Sequence, residues 1–212
     1  MKIGVARFPG TNCDADVLTF ARFKEHQSQY IWHTNQFDKN DFDLVIIPGG
    51  FSYGDYLRSG ALAARSPVMN SVREFAQFGK PVFGICNGFQ ILCEAGLLPG
   101  ALVRNESGKF IDDWIHLKIK NKNSFITKKL VSDQKIKLPI AHGDGRFVCD
   151  QKTLEGLNEN GQIWVEYIEN PNGSVQNIAG IMNLQKNVSA LMPHPERAQY
   201  PWMGGIDGLE FL

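Results

Sequence analysis

Two short runs, residues 44–47 and 81–85, are apolar without a break, and each ends in a glycine-rich turn. The first is followed by Pro48-Gly49-Gly50 and the second by Cys86-Asn87-Gly88. A strand with no polar alternation has no face to offer water, so it belongs in a parallel sheet covered on both sides. Parallel strands need long crossover connections, usually helices. The chain supplies them. Residues 2–8 read as a strand stopped by Pro9-Gly10, then Thr11 or Asn12 caps a helix with Asp14 and Asp16 near its positive end. Residues 29–33 form the next strand. Ser66-Pro67 opens a second helix, with Ser66 as cap and Val68, Met69, Val72, Phe75 and Ala76 on one face. A third helix runs from about Asn87 to Ala95 and closes at Gly96.

The second half is richer in strands, at about 114–119, 135–141, 162–167, 178–182 and 188–192, with a short helix near 153–161. The expected fold is α/β: a doubly wound, mostly parallel sheet with helices on both faces and an antiparallel C-terminal extension. No linker, repeat or low-complexity tract divides it, so residues 1–212 read as one domain. In such sheets the ligand crevice lies beyond the carboxyl ends of the strands. Pro9-Gly10, Pro48-Gly49-Gly50 and Cys86 mark three such ends.

Lys plus Arg and Asp plus Glu each total 22, so the net charge is zero. Nothing electrostatic argues for nucleic acid or an anionic membrane. No apolar stretch nears the ~18 residues of a spanning helix, and the opening MKIGVARF lacks the apolar core of a signal peptide. The four cysteines, Cys13, Cys86, Cys93 and Cys149, form no disulfide framework, and no CxxC or HExxH suggests a metal. A cytoplasmic, reduced protein is expected, with Cys86 a free thiol.

Gly84-Ile85-Cys86-Asn87-Gly88, between a strand and a helix, matches a nucleophile elbow with cysteine in place of serine. Flanking glycines clear space for a sharp turn that lifts the side chain outward. The following helix aims its N-terminus at the sulfur, and a dipole end favours a thiolate. The Asn87 N–H is placed to receive an oxyanion, and Gly50 could supply a second donor. A buried packing thiol is the alternative. A thiolate nucleophile needs a base and the base an orienter. Two of the five histidines carry a carboxylate two residues on: His142 with Asp144 in AHGDG, and His194 with Glu196 in MPHPER. Spacing does not choose between them, although Pro193 and Pro195 stiffen the second turn.

GICNGFQ, the PGG after the third strand and HPE near the C-terminus together resemble the class I (triad-type) glutamine amidotransferases. FPGTNCDAD, PGGFSYGDYLRSGALAA, PIAHGDGRF and MPHPERA extend the likeness to glutaminase subunits of purine biosynthesis, across about residues 2–212. The resemblance implies Cys86 as nucleophile, His194 as base and acid, and Glu196 as its orienter. It implies the N–H groups of Gly50 and Asn87 as the oxyanion hole, Gln90 at the α-amino or carboxylate end of glutamine, and the loop from His142 to Arg146 lining the site. It further implies a synthetase partner, a small accessory subunit, no cofactor or metal in this chain, and ATP with magnesium on the synthetase. The absence of a GxxxxGK[ST] loop agrees with that division. Asp112-Asp113 stand before Trp114 where relatives usually have a cysteine and a basic residue. Two rival readings share the fold: a free-standing cysteine hydrolase and a noncatalytic regulatory subunit. The hydrolases often set histidine beside the nucleophile, where this chain has Asn87. Phe51, Tyr53, Tyr56 and Arg58 are of the residue types favoured in interface cores and offer a surface for the partner.

Overall fold

The structure is a computed structural model and describes residues 1–127 and 129–212. Strands β1 (Lys2–Arg7), β2 (Gln27–Trp32), β3 (Leu44–Ile47) and β4 (Val82–Ile85) are linked by helices α1 (Asp14–Phe23) and α2 (Val68–Gln77), and α3 (Asn87–Glu94) follows β4. The second half contains β5 (Ala101–Val103), β6 (Ile111–Ile119), β7 (Lys135–His142), β8 (Arg146–Val148), α4 (Gln151–Glu159), β9 (Ile163–Tyr167), β10 (Ile178–Met182) and β11 (Val188–Leu191). Nine strands make one sheet in the order β2-β1-β3-β4-β11-β10-β9-β6-β7. Every pairing from β2 to β11 is parallel, and every pairing from β11 to β7 is antiparallel. The antiparallel extension therefore matches the parallel part in number of pairings.

Burial follows the sequence pattern. All residues of β3, β4 and β11 are buried, as strands without alternation require. Along β7 buried and partly exposed residues alternate, the mark of an edge strand with one wet face. β5 and β8 pair into a separate two-stranded sheet. Neither is long enough to show a period, and the sequence did not reveal them.

Two expected helix caps are absent. α1 starts after Cys13 with no side-chain cap, because the Thr11 hydroxyl instead accepts the Phe8 N–H at 3.1 Å. α2 starts after Pro67, and the Ser66 hydroxyl shares a 2.9 Å hydrogen bond with the Tyr53 phenol. In both cases another partner outcompetes the local cap. Tyr53 also bonds His33 Nδ1 at 2.8 Å, so it is tied into its own chain, whereas Tyr56 and Leu57 stay exposed.

The decisive topological fact is the place of β11. The last strand in the chain inserts beside β4, parallel to it, with Leu191 opposite Ile85. The Cys86 N–H donates to the Leu191 carbonyl at 2.9 Å. MPHPER therefore leaves its strand at the same sheet edge as the elbow. The elbow is also tightly built. A Cβ on Gly88 would overlap the Ile47 carbonyl oxygen of β3. Gly88→Ala is expected to cost about 1–3 kcal/mol by overpacking, or roughly 2–4 °C in Tm for each kcal/mol. Thermal unfolding checks this, and an unchanged Tm would show slack between α3 and β3.

Candidate active site

Cys86 has φ 50 and ψ −106. A non-glycine residue held there is strained by about 1–3 kcal/mol. The strain is the signature of the elbow: the residue lies at the turn from β4 into α3. A Cβ on Gly84 would lie 2.8 Å from the Gly88 carbonyl oxygen, so both glycines are needed for the turn to close. Asn87 is the first residue of α3, and its N–H has no partner within the helix. Gly50 has φ +138, and a Cβ there would meet the Asn12 nitrogen at 2.7 Å. The loop around Gly50 is pinned by Phe51 N–H to the Gly10 carbonyl (3.1 Å) and Cys13 N–H to the Gly49 carbonyl (3.3 Å). Neither bond uses the Gly50 N–H.

The two histidines have different surroundings. His194 Nδ1 lies 2.6 Å from Glu196 Oε1, and both residues are 1% exposed. Its Nε2 makes no hydrogen bond among the described residues. A Cβ on Gly49 would touch both His194 Cε1 (2.8 Å) and Cys86 Cβ (3.3 Å), so ring and nucleophile flank the same glycine. Burial opposes charge on His194, but Glu196 and Cys86 outweigh it and push its pKa up to about 10. His142 is placed differently. Its Nδ1 bonds Asn105 Oδ1 at 3.1 Å and not Asp144. Burial, then His194, pushes it down to about 4. Glu196 thus favours the protonated form of His194, and burial favours the neutral form of His142.

The His142 shift has a thermodynamic consequence. Its pKa falls from 6.5 to about 4 on folding, so between those values the unfolded chain holds the extra proton. Stability from this residue is complete above 6.5 and is lost as pH falls toward 4, roughly 3 kcal/mol in all. His142→Asn should flatten the acid limb of a plot of unfolding free energy, from urea titrations, against pH by about that amount; parallel limbs would contradict it.

Two cavities meet at Cys86. One, of about 330 Å³, is lined by Gln90, His142 and Asp144 among others. It is at the small end of ligand cavities, ~300–1,000 Å³. The other, of about 240 Å³, is lined by His194, Cys13, Arg197 and Asp112. Gln90 lines the first cavity with its amide engaged: Oε1 accepts from Asn87 Nδ2 and Nε2 donates to the Asp144 carbonyl, both at 2.7 Å. In the second, Arg197 Nη2 donates to Cys13 Sγ at 3.1 Å. Cys13, His194 and Glu196 hold potential ligand atoms within 4.8 Å of one another. A cation there would face the Arg197 guanidinium and a Cys13 thiol that burial and Glu196 push far up, so the chemistry of this set opposes a metal.

The elbow and HPE turn, Gly50 and the His142 loop all border these two cavities. Sequence reasoning missed Cys13, Arg197, Asp55, Ser59 and Arg104, all of which line these cavities. Asp55 and Ser59 lie in the PGGFSYGDYLRSGA stretch, so that motif carried a signal. Arg104 follows β5, a strand too short to read.

A strained cysteine elbow closing a parallel strand, with a buried His–Glu pair delivered by the neighbouring strand, is an arrangement able to support nucleophilic thiol chemistry. The chain belongs to the glutamine amidotransferases: residues 1–206 match the CobB/CobQ-like glutamine amidotransferase domain. It is 55% identical over 214 aligned residues to phosphoribosylformylglycinamidine synthase subunit PurQ of Nostoc sp., covering 100% of this chain and 95% of that protein. The PurQ subunit of Trichormus variabilis is equally similar, at 55% with the same coverage. Within the amidotransferases the chain is therefore a member of the PurQ family. A chain in the structure of PurLQS from Thermotoga maritima superposes with a TM-score of 0.91 at 42% identity, covering 99% of this chain and 94% of that one. No helix among the described residues is long and apolar enough to cross a membrane.

Proposed function

We infer that this chain is the glutaminase subunit of phosphoribosylformylglycinamidine synthase. It hydrolyses glutamine through a cysteine thioester and supplies the ammonia to a synthetase subunit in purine biosynthesis. The observation that carries the mechanism is the buried His194–Glu196 contact of 2.6 Å set beside the strained Cys86 elbow.

Glutamine enters the larger cavity with its side-chain amide toward Cys86. The sulfur attacks the amide carbon, and the carbonyl electron pair moves to oxygen. The N–H groups of Gly50 and Asn87 stabilise that oxyanion, a type of interaction worth ~10²–10³-fold in rate. His194 Nε2 gives its proton to the amide nitrogen, the C–N bond breaks, and ammonia leaves a γ-glutamyl thioester. Neutral His194 then takes a proton from water, whose oxygen attacks the thioester carbon. The C–S bond breaks, glutamate is released, and the Cys86 thiolate and protonated His194 are restored. Glu196 holds the ring and offsets its charge in the protonated state. His194 lines the smaller cavity and not the larger, so ammonia forms on the smaller cavity's side.

Free ammonia is protonated in neutral water and lost as a nucleophile. This favours release only into a partner, and on this reading the synthetase and a small accessory subunit complete the enzyme. ATP and magnesium act on the synthetase, with no cofactor in this chain. A cytoplasmic setting suits the four free cysteines. The test is ammonia release from glutamine by the chain with and without synthetase, acceptor and ATP. Coupled turnover supports the reading, and no glutamine hydrolysis under any condition overturns it.

A further inference from the structure

The smaller cavity holds two groups that the reaction at Cys86 does not use, the Cys13 thiol and the Arg197 guanidinium. Arg197 follows Glu196 in the turn after β11, and Asp16 lies in the first turn of α1. Arg197 Nε donates to Asp16 Oδ2 at 2.9 Å, and Nη2 donates to Cys13 Sγ at 3.1 Å. Cys13 is buried, and its N–H donates to the carbonyl of Gly49, the glycine that His194 and Cys86 flank. Its sulfur lies within 4.8 Å of both a Glu196 carboxylate oxygen and a His194 ring nitrogen.

One guanidinium thus stands near two carboxylates and pairs with only one of them. Among the described residues Arg197 forms a salt bridge with Asp16 and none with Glu196. Glu196 is buried, its Oε1 engages His194, and its Oε2 has no partner among the described residues. A bare, buried carboxylate oxygen is a far better acceptor for a guanidinium than a thiol sulfur. Yet Nη2 engages the sulfur. The Asp16 contact and the Cys13 sulfur therefore keep the cation one side chain's swing from Glu196. Direct pairing would impair the chemistry. A carboxylate neutralised by Arg197 would favour protonated His194 less, and the departing ammonia needs that proton.

We propose that Cys13 and Asp16 are positioning residues that hold the Arg197 guanidinium away from Glu196 and so reserve that carboxylate for His194. This rests on His194 being the proton donor, as inferred above. Glu196, Cys86, Cys13, Arg197, Asp112 and His142 are the titratable and charged groups around His194. Of these, only Arg197 changes place when Asp16 is removed.

The experiment measures kcat and KM for glutamine cleavage by the assembled enzyme across the neutral and alkaline range. Asp16→Ala frees Nε, and the side chain it removes is 41% exposed, so the fold tolerates the change. It should lower kcat roughly tenfold at alkaline pH and move the alkaline limb of kcat down by about one pH unit. KM should change little. Asp16→Glu keeps the anion and should retain the wild-type profile. In an Arg197→Gln background, adding Asp16→Ala should have no further effect, because no cation is left to reach Glu196. Cys13→Ala should depend on Arg197 in the same way, and gives a second cycle should the first variant fail to fold. Losses of equal size with and without Arg197, or losses that leave the alkaline limb in place, would reduce Asp16 and Cys13 to structural supports and overturn the proposal. Failure of the wild-type enzyme to cleave glutamine sinks the glutaminase reading itself, which is a different result.

Discussion

Cys86→Ala is expected to abolish glutamine-dependent turnover of the assembled enzyme, by at least about 10⁴-fold, the order lost when a triad nucleophile is removed. Turnover with free ammonia should persist, because the substitution leaves the synthetase untouched. The size of the effect follows from the absence of a substitute. Cys13 shares the smaller cavity, but burial and Glu196 raise its pKa far above neutrality, so it stays a thiol and a weak nucleophile. Cys93 lies in α3 with its sulfur against the Pro99 carbonyl at 3.7 Å, and Cys149 lines neither cavity. The measurement is glutamate formation set beside ammonia-driven product formation in one preparation. Residual glutamine turnover that disappears on adding Cys13→Ser would transfer the nucleophile's role to Cys13.

His194→Asn should lower glutamine turnover by ~10²–10⁴-fold, the usual contribution of a placed proton donor and acceptor. Each half-reaction needs the proton at Nε2: first for the leaving nitrogen, then from water. Glu196→Gln should fall in the same direction, since it removes the charge that holds His194 protonated. His142→Asn should act mainly on KM, because Asn105 holds this ring and burial favours its neutral form. Steady-state kcat and KM for the three variants check the ranking. A larger kcat loss in His142→Asn than in His194→Asn would move the base to the AHGDG loop.

The contrast between these histidines shows where sequence reading stops. Each is followed two residues later by a carboxylate, and spacing treats them alike. Their difference lies in what packs around them. Asn105, from a loop after β5, takes His142 Nδ1, while the stiff turn after β11 lets Glu196 take His194 Nδ1. The misread caps have the same origin. Ser66 and Thr11 have the chemistry of caps, but Tyr53 and the Phe8 N–H claim their hydroxyls.

The sequence by itself determined the parallel core, because apolar runs without alternation cannot face water. It also determined the elbow, because glycines flanking a cysteine between strand and helix leave room for a strained turn and little else. Local sterics and burial are written in neighbouring residues, so they can be read from them. Only the tertiary structure decided that β11 lies between β4 and β10, which brings residue 194 to residue 86. It alone gathered Asp55, Arg104, His142 and Asp144 around one cavity. Strand order and the meeting of distant loops depend on how the whole chain packs, and no local pattern of charge or hydrophobicity encodes them.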